Sequence, residues 1–357
     1  MRWRKIIILI AGLVILTVAG FVVKTMYRAG EFKTLQPYSR WDCRKITGLT
    51  GSEDITLNQS TGLAFISAVD FRARSIERKY PQGAVYGYDL AAADPTLVNL
   101  TADFKKGFFP HGLGLYAAPD GKTSLFVVNH QPQGSRIEVF DYQAGRLVHR
   151  RTVTDPLLHS PNDVTPVGPD RFYVTNDHGY TSKAGRTLED FLQLAQAQIL
   201  YYDGRGFQVV AEGLAYANGI NISPDGERVY VAETVGRRIK VFRRNQDSGR
   251  LTLEASIDVD AGVDNIEVDR SGRLWIGAHP KLLSFVRYSK DPARRSPSQV
   301  IKAEVIPGGG LVASTEFLDL GEALSGSSVA AVFQDYLLIG SVFDDCFLLC
   351  RPRTGVK

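Results

Sequence analysis

The sequence has little of what marks small or unstructured proteins. Its 357 residues include only 3 Cys, too few for a small domain held together by disulfide bonds. Hydrophobic residues make up 44% of the chain and charged residues 22%, which excludes a disordered or collagen-like chain. No amphipathic helical pattern dominates. The length suits one large domain or two ordinary ones.

An excess of positive charge is also missing from most of the chain. Residues 1–30 contain five basic residues and no acidic one, whereas residues 31–357 contain 37 Lys and Arg against 38 Asp and Glu. A nucleic-acid-binding protein needs a basic face. We therefore expect no nucleic-acid partner.

The N-terminus carries the one long apolar segment. Ile6–Val23 is a run of 18 uncharged, mostly apolar residues, which as a helix spans about 27 Å, enough for a thin bilayer. Three positive charges precede it, so the N-terminus should stay cytoplasmic and the rest should be exported. We predict a membrane signal anchor over residues 1–30 and an extracytoplasmic domain over residues 31–357. A cleaved signal peptide, which gives a secreted protein, is the alternative.

Export places the cysteines in an oxidising compartment. Cys43, near the start of the exported part, could pair with Cys350 or with its rival Cys346, both near the end. The bond would close a loop of roughly 300 residues, for which the chain-entropy estimate is on the order of 5 kcal/mol. Sequons at Asn58, Asn99 and Asn221 also predict a glycoprotein in a host that glycosylates exported chains.

Short apolar runs recur along the exported part. Six runs rich in β-branched and aromatic residues follow turn-forming residues, at 62–67, 125–129, 171–175, 228–232, 273–277 and 336–340. Such runs are typical of strands. They recur about every 55 residues, which suits a four-stranded propeller blade with insertions. We predict an all-β fold, a six-bladed β-propeller, because the alternative of paired β-sandwiches would not repeat in blocks.

Two segments interrupt the repeats. Phe71–Pro81 is charged and irregular, and Leu188–Tyr201 has the apolar spacing of a helix. We predict that both are insertions over one face of the propeller, as lid helices or membrane-facing elements. The alternative for the second is a helix that covers a blade edge.

A polar residue or pair precedes each apolar run by about 10–16 residues. The first strand of each propeller blade lines the central channel, so these positions should converge on the axis. Carboxylates that face one another there need a cation, and carboxylate and amide oxygens suit Ca²⁺. The predicted ligands are Glu53, Asn162, Asn218, Asp264 and Asn265. Asp54 and Asp163 follow two of them and could bind a second ion or make ordinary strand hydrogen bonds.

The residues resemble those of a known family. Segments 51–54, 109–112, 127–130, 161–164, 175–178, 217–226, 263–266, 277–280 and 338–343 are similar, in order, to motifs of the calcium-dependent paraoxonase/arylesterase lactonases. They extend over essentially the whole exported part. The resemblance implies a six-bladed propeller catalytic domain that holds two calcium ions and hydrolyses small-molecule lactones and aryl esters.

The resemblance also implies roles for individual residues. The catalytic calcium falls on Glu53, Asn162, Asn218, Asp264 and Asn265, and the structural calcium falls on Asp54, Asp163 and the backbone carbonyl of Leu113. The catalytic histidine pair falls on His111 and His130, and the terminal disulfide on Cys43 and Cys350. The implied pocket wall comprises Lys79, Tyr80, Tyr216, His279, Ser328 and Val342.

Imidazole titrates near neutrality, so we expect His111 to take a proton from the attacking water and His130 to tune or relay it. A metal-bound carboxylate such as Glu53 is the alternative base. Two alternative functions are a gluconolactonase-like or strictosidine-synthase-like propeller enzyme and a non-catalytic scaffold. The twin histidines and the Glu53-Asp54 pair argue against the first, and the clustered channel oxygens argue against the second.

Overall fold

Six antiparallel sheets surround one axis. The computed structural model describes residues 2–306 and 310–353. Residue 1 of the predicted anchor and residues 307–309 and 354–357 of the predicted extracytoplasmic domain lie outside the described residues. The chain begins with helix α1 (Arg2–Arg28) and strands β1 (Tyr38–Ser39) and β2 (Trp41–Thr47). The first blade comprises β3 (Ser52–Leu57), β4 (Leu63–Ala68), β5 (Ala84–Asp89) and β6 (Leu97–Asn99).

The next three blades repeat this order of four consecutive strands. The second comprises β7 (Pro110–Ala117), β8 (Thr123–Asn129), β9 (Arg136–Gln143) and β10 (Arg146–Val153). The third comprises β11 (Pro161–Pro166), β12 (Phe172–Asn176), β13 (Ala197–Tyr202) and β14 (Phe207–Leu214). The fourth comprises β15 (Ala217–Ile222), β16 (Arg228–Glu233), β17 (Arg238–Arg244) and β18 (Leu251–Asp258).

The last two blades include strands from the start of the chain. The fifth comprises β19 (Gly262–Val268), β20 (Leu274–His279), β21 (Ser298–Ile306), β22 (Gly310–Asp319) and the short β1. The sixth comprises β23 (Ser327–Phe333), β24 (Tyr336–Ser341), β25 (Cys346–Pro352) and β2. Neighbouring first strands contact each other around the ring, and β23 returns to β3. The predicted six-bladed propeller is confirmed, and the six apolar runs are the second strands of the blades.

The ring closes where the two ends of the domain meet. β2 pairs with β25, and Cys43 lies directly opposite Cys350. A disulfide bond joins these two residues, while Cys346 is free and buried. Of the two partners that the sequence left open, the structure has Cys350.

Apolar side chains of adjacent blades pack together to form the core. Phe65 of the first blade, for example, lies in one cluster with Leu125 and Phe140 of the second. The two sheets interlock because successive side chains of a strand point to opposite faces. This packing fixes the first strand of each blade along the channel.

Three short helices are inserted between strands, namely α2 (Phe71–Ser75), α3 (Lys183–Leu192) and α4 (Leu282–Lys290). The predicted helical segment 188–201 is wrong beyond Leu192. The helix ends there because Gln193 has a left-handed backbone (φ 56°), and Ala197–Tyr202 forms β13. The apolar residues of segment 188–201 fit one helical spacing, but they belong to two elements. Some lie at the end of α3, and others, such as Ile199, lie on the buried strand β13 and pack in the core.

Helix α1 is long and apolar enough to cross a membrane, judged by length and composition, and its apolar side chains are mostly exposed. Its end is attached to the propeller, because the backbone N–H of Leu282 donates to the carbonyl of Ala29. Of the three sequon residues, Asn99 is exposed, Asn221 is half-buried and Asn58 is buried.

Candidate metal centre and active site

Each first strand has a shift in its pairing register at the predicted polar position. On β11, Pro161 lies opposite Asn176 and Val164 opposite Val174, so Asn162 and Asp163 together face one residue. Equivalent shifts occur on the other five first strands, at residues 53, 111–112, 218–219, 264–265 and 328. Such a bulge bends the strand and redirects its side chains. The six bulges therefore lie at equivalent points around the channel.

Glycine follows the polar residue where neighbouring bulges approach closely. A Cβ at Gly112 would lie 2.5 Å from the Cα of Asp163, and a Cβ at Gly219 would lie 2.6 Å from the Cα of Asn265. Any larger residue would push the backbones apart. The glycines thus let the bulged strands converge around the axis.

A cavity of about 450 Å³ opens over these bulges. Its lining includes four of the predicted metal ligands, Glu53, Asn162, Asn218 and Asp264, together with His111 and His130. The fifth predicted ligand, Asn265, lies next to Glu53 and donates to its Oε1 from Nδ2 at 2.9 Å. The structure therefore brings all five predicted ligands together at one end of the channel.

Four of these five side chains have a buried oxygen atom without a hydrogen-bond partner among the described residues. The four atoms are Glu53 Oε2, Asn162 Oδ1, Asn218 Oδ1 and Asn265 Oδ1. A buried acceptor left without a donor costs about 1–3 kcal/mol. The amide nitrogens of Asn218 and Asn265 are engaged, by Thr234 and by Glu53, so their oxygens are free for a ligand. A ring of carboxylate and amide oxygens without donors fits a hard cation.

The two predicted catalytic histidines are hydrogen-bonded to each other. His111 Nδ1 lies 3.0 Å from His130 Nε2, and His130 Nδ1 lies 2.9 Å from Ser135 Oγ. The other nitrogen of His111, Nε2, lies 3.5 Å from Glu53 Oε1. These contacts connect the cluster of free oxygens to Ser135 at the cavity wall.

Burial and charge affect the two histidines in opposite directions. Burial by itself lowers the pKa of His111, but the charge of Glu53 and the hydrogen bond to it raise this pKa above its ordinary value. Burial lowers the pKa of His130 well below its ordinary value, and the positive charge of Arg74 lowers it further. His130 is therefore neutral near pH 7, whereas the contact with Glu53 favours the protonated form of His111.

Asp54 and Asp163 lie deeper and do not line the cavity. Asp54 accepts backbone N–H groups of Leu113 (2.6 Å) and Ile55 (2.8 Å), and Asp163 accepts those of Ile220 (2.8 Å) and Val164 (2.7 Å). Burial raises the pKa of Asp54 well above its ordinary value, and the charge of Asp163 raises it further. Burial also raises the pKa of Asp163. A cation between these carboxylates would remove that repulsion.

Half of the predicted pocket wall lines the cavity. Tyr216, His279 and Val342 do so, and His279 Nε2 also lies 2.8 Å from Asp264 Oδ2. Ser328 lies below the cavity, where its hydroxyl donates to the carbonyl of Glu53 at 2.6 Å. The lining does not include Lys79 or Tyr80.

The side chains of Lys79 and Tyr80 are exposed, and Lys79 pairs with Glu77. The aromatic wall next to the histidines comes instead from Phe71, whose ring centroid lies 5.2 Å from that of His111. Sequence reasoning missed Phe71 and Arg74, which both line the cavity from α2. One signal could have indicated them: the insertion that contains α2 directly follows the apolar run of β4, so its first residues lie at a strand end next to the channel.

A charged cluster, of which the sequence had not indicated Asp190, connects α3 to the cavity. His178 Nδ1 lies 2.6 Å from Asp177 Oδ1, and its Nε2 lies 3.1 Å from Asp190 Oδ1 on α3. Although burial opposes it, bonding to Asp177 and Asp190 raises the pKa of His178 to about 10. The protonated ring bridges the two carboxylates, both of which line the cavity.

Comparison with known proteins gives a consistent result over most of the chain. The family described as Arylesterase matches residues 34–351. Human serum paraoxonase/arylesterase 1 is 36% identical over 326 residues, which cover 88% of this chain and 90% of that protein. Serum paraoxonase/lactonase 3 from Oryctolagus cuniculus is 34% identical over 330 residues, with the same two shares.

Solved structures share the fold. A luciferin-regenerating enzyme has a TM-score of 0.55 at 13% identity, covering 89% of this chain and 97% of that one. A gluconolactonase from Xanthomonas campestris has a TM-score of 0.52 at 19% identity, covering 87% and 90%. At these identities the likeness concerns the architecture alone.

Proposed function

The chain belongs to the arylesterase family, and from that premise we propose that its hydrolysis of lactones and aryl esters depends on calcium. The enzyme is an ester hydrolase with small-molecule substrates. The observation that carries the proposal is the set of four buried oxygens, in and next to the cavity lining, that have no donor among the residues that the structure describes. Glu53, Asn162, Asn218, Asp264 and Asn265 would hold the ion through oxygens, the donor type that Ca²⁺ prefers.

We propose that His111 is the general base. When bound, the ion would supply Lewis-acid polarisation of the ester carbonyl. Because His130 is neutral, its Nε2 can accept a hydrogen bond from Nδ1–H of His111 when its own proton lies on Nδ1, beside Ser135. That arrangement leaves the lone pair of His111 Nε2 facing the channel. His111 then removes a proton from the attacking water at Nε2, and His130 holds the ring in this tautomer.

A second, structural ion is proposed deeper in the channel, at Asp54, Asp163 and the backbone carbonyl of Leu113. The donor chemistry supports it, since two buried carboxylates repel each other there. The argument from free oxygens does not extend to this site, because both carboxylates accept backbone N–H groups.

The test is hydrolysis of phenyl acetate and of a panel of γ-, δ- and aldonolactones, with and without EGTA. We expect hydrolysis of phenyl acetate and simple lactones to stop in EGTA and to return when Ca²⁺, but not Mg²⁺, is added in excess. Hydrolysis that persists after complete chelation would contradict calcium dependence. A preference for aldonolactones with no turnover of phenyl acetate would favour a gluconolactonase-like activity instead.

We also propose that α1 anchors the enzyme in a membrane, with the propeller on the extracytoplasmic side. The length and hydropathy of α1, the positive charges at its start and the disulfide support this location. Extraction of membranes at alkaline pH should leave the full chain in the pellet. A soluble, shortened chain would indicate cleavage and secretion.

A further inference from the structure

The charged side chains that line the cavity are almost all matched by partners. Asp177 and Asp190 contact His178, Asp264 contacts His279, and Glu53 contacts Asn265 and His111. Arg186 donates to the carbonyls of Tyr180 and His159. Arg74 lines the same cavity and has no hydrogen bond or ion pair with any residue that the structure describes.

Aromatic rings hold the guanidinium of Arg74 in place. Its central carbon lies 5.4 Å from the ring centroid of Phe109 and 5.7 Å from that of Tyr80. The Phe109 ring also packs on Phe71, which in turn contacts His111. Stacking on ring faces fixes a guanidinium without using its N–H groups. The donors of Arg74 are therefore positioned beside the histidine pair and remain available.

The charge of the cavity points to the type of group that these donors would bind. This step rests on the proposed function, in which a divalent ion offsets Glu53 and Asp264. Protonated His178 and Arg186 offset Asp177 and Asp190. Among the described residues of the cavity, Arg74 is then the positive charge that no other group offsets, and its half-buried position makes an unpaired charge unfavourable.

We propose that Arg74 binds a carboxylate of the substrate, so that the enzyme favours esters and lactones whose acyl part carries a carboxylate remote from the scissile bond. Arginine binds a carboxylate through two parallel N–H···O bonds, which gives direction as well as affinity. The scissile carbonyl would lie at the end of the channel where the proposed ligands would hold the ion, and the remote carboxylate would lie at Arg74 on α2.

A matched pair of aryl esters tests this preference. Monophenyl glutarate and phenyl pentanoate have the same chain length and leaving group and differ in a terminal carboxylate. We expect Arg74→Met to lower the ratio of their kcat/KM values, anionic over neutral, by at least about tenfold, the loss typical of one charge-assisted pair. Arg74→Lys should give an intermediate ratio because lysine keeps the charge but not the fork of N–H donors.

Arg78→Met is the control, since Arg78 is an exposed cation of the same insertion. For Arg78→Met, the ratio of kcat/KM for monophenyl glutarate to that for phenyl pentanoate should equal the ratio of the unchanged enzyme. An unchanged ratio in Arg74→Met, or an equal loss for both esters, would overturn the proposal for Arg74 while EGTA-sensitive hydrolysis of phenyl pentanoate still supports the proposed function. Hydrolysis of both esters that EGTA does not affect would overturn the proposed function itself.

A second measurement does not depend on the folding of the variant. With free Ca²⁺ held constant, glutarate should inhibit hydrolysis of phenyl acetate by the unchanged enzyme at a concentration at least about tenfold lower than pentanoate. Equal inhibition by the two acids would contradict a binding site for the remote carboxylate at Arg74.

Discussion

Glu53 is the residue that links binding and chemistry in the proposed active site. Its Oε1 accepts from Asn265 and lies near His111, and its carbonyl accepts from Ser328. Its Oε2 has no hydrogen-bond partner in the part of the chain that the structure describes. One carboxylate thus orders a neighbouring amide, raises the pKa of the base and presents a free oxygen to the channel.

The substitution Glu53→Gln should weaken calcium binding by at least about 100-fold, because even residues that only support metal ligands contribute 10–100-fold. Glutamine has no charge, and its amide group would direct N–H donors toward the ion. Calorimetric titration of EGTA-treated, dialysed protein should show one strong site fewer than in the unchanged chain. The exposed Glu322→Gln is the control. Unaltered affinity and stoichiometry would remove Glu53 from the ligand set.

The substitution His111→Gln should lower kcat about 10²–10⁴-fold, the contribution typical of a general base. Calcium affinity should stay within about threefold, because His111 is not among the proposed ligands. Stopped assays with phenyl acetate at saturating Ca²⁺ measure the first quantity and calorimetry the second. If kcat is unaffected, a carboxylate such as Glu53 is the base.

The sequence predicted the residues of the channel better than those of the wall. The polar positions were predictable because they repeat with the blades, so Asn162 and Asn218 converge by symmetry of the fold. The wall depends on how an irregular insertion packs. Arg72 donates to the carbonyls of Phe343 and Tyr288, more than 200 residues away, so α2, which also carries Phe71, is held by distant parts of the chain. Local sequence does not contain that information.

At the scale of elements, strands were predictable and the inserted helices only in part, since α2 lies within the predicted insertion 71–81 and α3 overlaps the predicted helix only over residues 188–192. The second strands of the blades are buried apolar runs between turns, which is a strong local signal. Helix α4 has no such signal, because the residue before it, Lys281, makes no side-chain cap. The bulges were also hidden, because a register shift arises from pairing and from contact with the neighbouring blade rather than from composition.

Helix α3 provides a prediction for an element. The substitution Asp190→Asn removes one of two carboxylates that contact His178, so hydrogen exchange over residues 183–192 should be faster at pH 7. The free energy of unfolding should fall by about 1 kcal/mol, given that Asp190 is partly exposed. The exposed Asp247→Asn should change neither measurement.

This destabilisation should depend on pH in a defined direction. The pKa of His178 is raised on folding to about 10, so its contribution is complete below the unfolded pKa of about 6.5 and is lost as pH rises through about 10. Urea unfolding should therefore show the difference between Asp190→Asn and the unchanged chain at pH 7 and no difference above pH 10. A difference that is constant over this range would mean that His178 is not charged in the folded protein.

At the scale of the whole molecule, closure of the ring joins the two ends of the domain. The sequence indicated two possible partners for Cys43, namely Cys346 and Cys350, which are four residues apart. Only the pairing of the strands decides between them. In the register of β2 and β25, Cys43 faces Cys350 while Cys346 faces Thr47. The sixth blade is completed by β2, so the disulfide lies where separation of the chain ends would open the propeller.

The double substitution Cys43→Ala and Cys350→Ala removes this bond and should lower the free energy of unfolding by about 3–5 kcal/mol. The two cysteines are 307 residues apart, and the unfolded chain gains most entropy when a bond that closes such a long loop is removed. Urea unfolding of the double variant should match that of the unchanged chain in reductant, and reductant should not affect the variant. Cys346→Ala should stay sensitive to reductant. If oxidised and reduced forms of the unchanged chain unfold at the same urea concentration, the pairing of β2 with β25 alone holds the ring closed.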